Sequence, residues 1–105
     1  MRTITVTPET LAKSVVAVPP LARDSHGRIC KQNNTRIIQH LEAAGITTLL
    51  YGGNAVFYHL RPSEYAAVLN VLVENTMIDT LVIPSVGPSY GMMMDQAEVL
   101  KDYPF

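Results

Sequence analysis

The chain has 105 residues, 48% of them hydrophobic and only 16% charged, a balance that excludes intrinsic disorder and suits one small folded domain. A net charge of -1 leaves no basic footprint for nucleic acid or an anionic membrane, and a lone cysteine, Cys30, excludes an internal disulfide or a multi-cysteine metal site. Apolar runs such as Val15–Val18 fall far short of the ~20 residues that span a bilayer, and no apolar leader follows Met1 and Arg2, so the expectation is a soluble cytoplasmic protein with no membrane partner.

Residues 1–12 carry no helical period and read as an irregular lead-in. The β-branched run Ser14–Val18, closed by Pro19 and Pro20, predicts a strand buried on both faces. Asp24, Ser25 and Gly27 then supply a turn-rich loop. From Lys31 onward, Asn34, Ile37, Ile38, Leu41 and Ala44 fall at helical spacing, with Gly45 placed to cap the end. A second apolar burst, Thr47–Tyr51, ends at Gly52 and Gly53. Pro62 suits the first turn of another helix, Glu64 sits near its positive end, and Tyr65, Val68, Leu69, Leu72 and Val73 form its buried stripe. A third burst, Thr80–Pro84, leads through a Ser- and Gly-bearing loop into a helix expected over Met92–Asp102.

The three bursts begin at Ser14, Thr47 and Thr80, each 33 residues after the last. Helical-pair repeats share this period, but each unit here opens with a strand and holds one helix, so the repeat is a βα unit. Strands alternating with helices predict a parallel sheet with right-handed crossovers. Two architectures fit: a small open three-stranded α/β domain, or part of a (β/α)8 TIM barrel, whose ~250 residues divide into eight units of ~31. The long, uniform spacing favours the partial barrel, with βα units starting near 14, 47 and 80.

Three segments carry a family resemblance. They are Ser14–Leu21 with Asp24–Ile29; Ala44–Ile46 leading through Gly52-Gly53-Asn54-Ala55 to Leu60-Arg61-Pro62-Ser63-Glu64; and Val82–Gly87. In order and spacing this resembles the dihydrodipicolinate synthase and N-acetylneuraminate lyase family over residues 14 to about 102. The resemblance implies a homo-oligomeric barrel and a class I aldolase that forms an imine between a lysine and a pyruvate-type 2-oxo acid, with no separate cofactor. Gly53 and Asn54 stand where that family has two threonines, the first relaying protons and the second holding the substrate carboxylate. Gly53 has no hydroxyl to relay a proton, so the role that transfers is carboxylate binding, by the Asn54 amide and the loop's backbone N–H groups.

The family's lysine comes from a sixth strand and its tyrosine from between the fourth and fifth, both beyond residue 105. Lys13, Lys31 and Lys101 are not expected at the carboxyl end of any strand, where barrel chemistry occurs. The chain by itself is therefore expected to be inactive: the N-terminal portion of a lyase whose parent takes a small 2-oxo acid. The alternative is a non-catalytic binding or assembly module on a three-stranded sheet, whose unpaired edge would seek a second copy or another chain.

The remaining candidates have plainer readings. Ser85, Ser89 and Tyr90 suit a solvated loop, and Tyr51 suits packing between sheet and helix. Tyr58 and His59 suit the surface, with a subunit interface as the functional alternative. Cys30 suits a helix start, and Met92–Met94 suit core filling. His26, His40 and His59 show no ligand spacing, so no metal is expected.

Overall fold

A computed structural model describes residues Met1–Phe105. In chain order the elements are α1 (Pro8–Ala12), β1 (Val16–Ala17), α2 (Lys31–Ala43), β2 (Thr48–Tyr51), α3 (Pro62–Asn75), β3 (Leu81–Pro84) and α4 (Tyr90–Leu100), with one 3-10 turn at Phe57–His59. The sheet is parallel, in the order β1-β2-β3. Val16 pairs with Thr48, and Thr48 with Leu81, so each crossover returns the chain beside the strand it left. The 33-residue period is visible in the bonding: the Thr47 N–H donates to Ser14 Oγ at 2.9 Å, and the Leu81 N–H to the Thr47 carbonyl at 2.9 Å. The architecture is thus an α/β repeat compatible with a partial βα fold.

The core lies between the sheet and its helices. Leu49, Tyr51 and Val82 point from the strands into a cluster completed by Ile38, Phe57, Tyr65, Val68, Leu69 and Leu72, nearly all fully buried. Each such side chain contributes roughly 1.5–3 kcal/mol through burial. Phe57 stands edge-on to Tyr65 at 6.2 Å and tilted to Tyr51 at 5.9 Å, so three aromatic rings fill the space above β2. The α3 stripe matches the expected one, except that Val71 is buried where Val73 was expected.

Helix starts follow local chemistry. Pro8 and Pro62 occupy first helical positions, where their missing N–H is harmless. The Glu64 carboxylate accepts from the Arg61 N–H at 3.1 Å, closing the first turn of α3. Cys30 is the residue before α2 but caps nothing with its side chain. Asn34 takes over that work: fully buried, it accepts from the Ala22 N–H and donates to the Ala22 and Cys30 carbonyls, all within 2.9 Å. Gly45 ends α2 in the left-handed region (φ 85), and its N–H reaches the Glu42 carbonyl.

Four expectations need correction. Residues 8–12 are not irregular: Thr7 and Thr10 bond reciprocally in a capping box ahead of Pro8, which is enough for the one-turn helix α1. β1 is not buried on both faces, since it is a two-residue edge strand with Val15 71% and Val16 47% exposed. The last helix starts two residues early, at Tyr90, because Ser89 already holds the extended cap conformation. Met93 and Met94 do not fill the core: α4 turns Gln96, Val99 and Leu100 inward, which leaves the two methionines 36% and 44% exposed.

The other face of the sheet is only partly covered. The Arg2 N–H donates to the Thr80 carbonyl at 2.6 Å and the terminal amine to the Thr76 carbonyl at 3.1 Å, tying the first residues to the amino ends of the strands, where Thr48 and Leu81 are buried. Toward the carboxyl ends this cover stops, and Ile83 is exposed.

Tyr51 is fully buried, yet its hydroxyl meets no hydrogen-bond partner, and burial pushes its pKa well above the usual tyrosine range. Removing a buried, unsatisfied hydroxyl relieves a desolvation cost. Tyr51→Phe should therefore raise stability by about 1 kcal/mol in urea unfolding. A loss of that size would place an undetected partner on the hydroxyl.

Candidate functional site

Three loops meet above the carboxyl ends of the strands. The first, residues 18–30, is shaped by Asp24, whose Oδ1 accepts from the His26 and Arg28 N–H groups at 2.8 and 3.0 Å. These bonds hold the Asp24 carboxyl below its ordinary range, that of the Arg28 N–H foremost. Arg23 then reaches across the fold: one guanidinium nitrogen donates to the Gly27 carbonyl and to Glu64 Oε1, the second to Glu64 Oε2. This bidentate pair clamps the first loop to the start of α3 and holds the Glu64 carboxyl below its ordinary value.

The second loop, residues 52–61, leaves β2 through Gly52. A Cβ on Gly52 would lie 2.7 Å from Ser85 Oγ, so the third loop comes in against bare backbone. The Ser85 N–H donates to the Tyr51 carbonyl, and the Tyr65 hydroxyl donates to the Ser85 carbonyl at 3.0 Å. Gln96, buried on α4, accepts from the Gly87 N–H at 2.7 Å. Ser85 is therefore fixed by β2, α3 and the turn behind it. Val56 returns the second loop in a left-handed conformation (φ 55), unusual for a β-branched residue.

Between the second and third loops lies a shallow depression of about 150 Å³, lined by Gly52, Gly53, Phe57, Tyr58, Ser85 and Val86 among others. Gly53 is on this lining, and its backbone N–H, like that of Asn54, donates to no protein acceptor. The Asn54 side chain is engaged elsewhere: its amide donates to the Val18 carbonyl at 2.8 Å, fastening the second loop to the end of β1. The two predicted site residues thus divide, with Gly53 at the depression and the Asn54 amide serving as a tie between loops.

The other candidates fall as follows. Ser85 lines the depression, Ser89 precedes α4, and Tyr90 stands 73% exposed at its first turn. Tyr58 and His59 are exposed, their rings 4.7 Å apart. Lys13 ends α1; Lys31 opens α2 and pairs with Glu74; Lys101 ends α4 and pairs with Glu98. None of the three lines the depression. No cluster of three or more His, Cys, Asp or Glu side chains is arranged to hold a metal ion, and no helix is long and apolar enough to cross a membrane.

Sequence reasoning missed the close approach of Ser85 to Gly52 and the Arg23–Glu64 clamp. The first carried a signal: Gly52 and Ser85 are 33 residues apart, one full repeat, so they occupy equivalent places on neighbouring strands. The second carried none, because no local pattern links a loop arginine to a carboxylate 41 residues away. Comparison with family models, curated proteins and solved structures finds no match to this chain.

Two outcomes follow. Asn54→Ala should lower stability by about 1 kcal/mol through loss of the bond to Val18; no change would remove it as a tie between loops. Burial pushes the Tyr65 hydroxyl up to about 12, from 10.0 in an unperturbed tyrosine. The unfolded chain therefore releases this proton first, and Tyr65's contribution, intact below pH 10, is lost as pH rises through about 12. The Tm of Tyr65→Phe should fall less steeply than wild type over that window; equal slopes would contradict the assignment.

Proposed function

We propose that the carboxyl end of this sheet binds the carboxylate of a small 2-oxo acid, and that the chain is the N-terminal three βα units of a (β/α)8 lyase resembling the dihydrodipicolinate synthase and N-acetylneuraminate lyase family. The observation that carries the reading is the acceptor-free N–H of Gly53, a residue that lines with Ser85 a depression at the carboxyl ends of parallel strands; the N–H of Asn54, next in the chain, is acceptor-free as well. Adjacent backbone donors of this kind suit a carboxylate and need no side-chain charge. The Gly53 position, with no atoms within 4 Å of where a Cβ would stand, gives the anion room to approach the backbone.

In this reading the chain binds and orients while the chemistry belongs to a lysine outside it. The resemblance implies that such a lysine condenses with the substrate ketone, releasing water as the imine forms. Lys13, Lys31 and Lys101 sit at helix ends, and two of them are held in ion pairs away from the loops. The chain alone should therefore show no turnover. A second reading, a non-catalytic assembly module, draws on the exposure of Val16 and Ile83 at the two sheet edges.

Titrating the isotope-labelled chain with pyruvate should shift the Gly53, Asn54 and Ser85 amide resonances saturably, while borohydride leaves its mass unchanged. The intact protein carrying this segment, treated the same way, should gain a reduced pyruvate adduct on a lysine outside residues 1–105. Absence of those amide shifts would overturn the carboxylate subsite. An intact protein without the adduct would overturn the lyase assignment.

A further inference from the structure

We infer that Tyr65 is the positioning residue of the anion subsite, a role that rests on the carboxylate reading: its hydroxyl draws the Ser85 carbonyl toward α3, breaks the β2–β3 ladder at one rung and leaves the Gly53 N–H for the ligand. The register of the sheet identifies the rung. Thr48 lies opposite Leu81 and Tyr51 opposite Pro84, so Gly52 follows opposite Ser85. In a parallel ladder, a bonded residue donates to the residue before its partner and accepts from the residue after it. Leu81 starts this pattern on β3 by donating to the Thr47 carbonyl at 2.9 Å, and Ser85 repeats it by donating to the Tyr51 carbonyl at 2.9 Å. The donor due at the Ser85 carbonyl is therefore the Gly53 N–H, and that bond does not form.

The two chains have not drawn apart at this point. The Ser85 N–H still reaches β2, and a Cβ on Gly52 would stand 2.7 Å from Ser85 Oγ. The donor is held as well. The Gly53 N–H shares a planar peptide with the Gly52 carbonyl, which accepts from the Phe57 N–H at 3.2 Å, and in a trans peptide the N–H lies on the opposite edge of that plane. What has turned is the acceptor. The Ser85 carbonyl accepts at 3.0 Å from the hydroxyl of Tyr65, a fully buried ring packed edge-on to Phe57. A carbonyl oxygen has two lone pairs, so Tyr65 excludes the Gly53 N–H by direction and not by occupancy. Further along, buried Gln96 of α4 accepts from the Gly87 N–H at 2.7 Å, so the third loop is drawn to the helix layer at two points while the Ser85 N–H stays on β2.

A backbone N–H at the end of a ladder finds another acceptor or remains open to solvent. This one belongs to a residue that lines the depression with Gly52 and Ser85. A carboxylate oxygen bound there takes the place in the ladder that the Ser85 carbonyl has left, and a charged acceptor makes a stronger bond than a neutral one. Tyr65 acts on the ligand only through Ser85. Tyr51, in the same aromatic set, has a hydroxyl that bonds to nothing and provides the control.

Tyr65→Phe keeps the ring and removes only the hydroxyl. In the isotope-labelled chain without ligand, scalar coupling across a hydrogen bond between the Gly53 nitrogen and the Ser85 carbonyl carbon should be absent in wild type and present in Tyr65→Phe. Pyruvate, followed by the Gly53 and Asn54 amide shifts, should bind Tyr65→Phe about fivefold more weakly than wild type. Tyr51→Phe should match wild type in both measurements. Coupling already present in wild type, which needs no variant to detect, would overturn the inference. So would its absence from Tyr65→Phe, or the same loss of affinity in Tyr51→Phe. Saturable binding by wild type with no loss in Tyr65→Phe would overturn the role of Tyr65 alone, whereas no binding by wild type would overturn the carboxylate reading and this role with it.

Discussion

A parallel strand holds its place when it has a hydrogen-bonded neighbour on both sides and apolar cover on its faces. In this chain only β2 meets that condition. It is flanked by β1 and β3, and its Leu49 and Tyr51 side chains are fully buried beneath the helices. Everything else is arranged around β2. The aromatic set Tyr51, Phe57 and Tyr65 packs tilted and edge-on at its helix side, Ser85 is bonded to its last carbonyl, and Asn54 carries the loop that leaves it across to the end of β1.

The same constraint explains where polar groups are used. The carboxyl ends of the strands are stitched by side chains reaching between loops: Arg23 to Glu64, Tyr65 to Ser85, Gln96 to Gly87. Each removes a backbone or charged group from competition for water and fixes one loop relative to the next element. The result is a rigid rim around a small depression in which the backbone of Gly53 is left without an internal acceptor. In the proposed reading, a rim of that kind would position an anion through its shape and its N–H dipoles and leave bond-making chemistry to a group outside residues 1–105.

Much of the fold was legible because it repeats. The 33-residue period, the β-branched bursts ending in proline or glycine, and the apolar spacing of α2 and α3 all follow from alternating strand and helix; α2 starts at Lys31, where the helical spacing begins, and α3 at Pro62, the expected first-turn proline. What could not be read was the environment of the two ends. Val15, Val16, Met93 and Met94 have the composition of buried residues, and sequence pattern registers apolarity but not whether a neighbour arrives to cover it. The five-residue α1 depends on Thr7 and Thr10 bonding each other, a reciprocal contact too short for periodicity to register. At the site, Gly53 lies where strand order places it, but the Asn54 amide turns to Val18, a choice set by the distance between two loops and not by residue type.

The central claim is that this is a repeating sheet with one interior strand and two open borders. Residue-resolved amide hydrogen exchange, run dilute enough to keep the chain monomeric, tests it most directly. The account predicts that Leu49, Leu50 and Tyr51 exchange only on global unfolding, while Val16 and Ala17 exchange far faster by local opening. Equal protection across β1 and β2 in the monomer would contradict it, since an edge strand of two residues with one neighbour has nothing else to hold it closed.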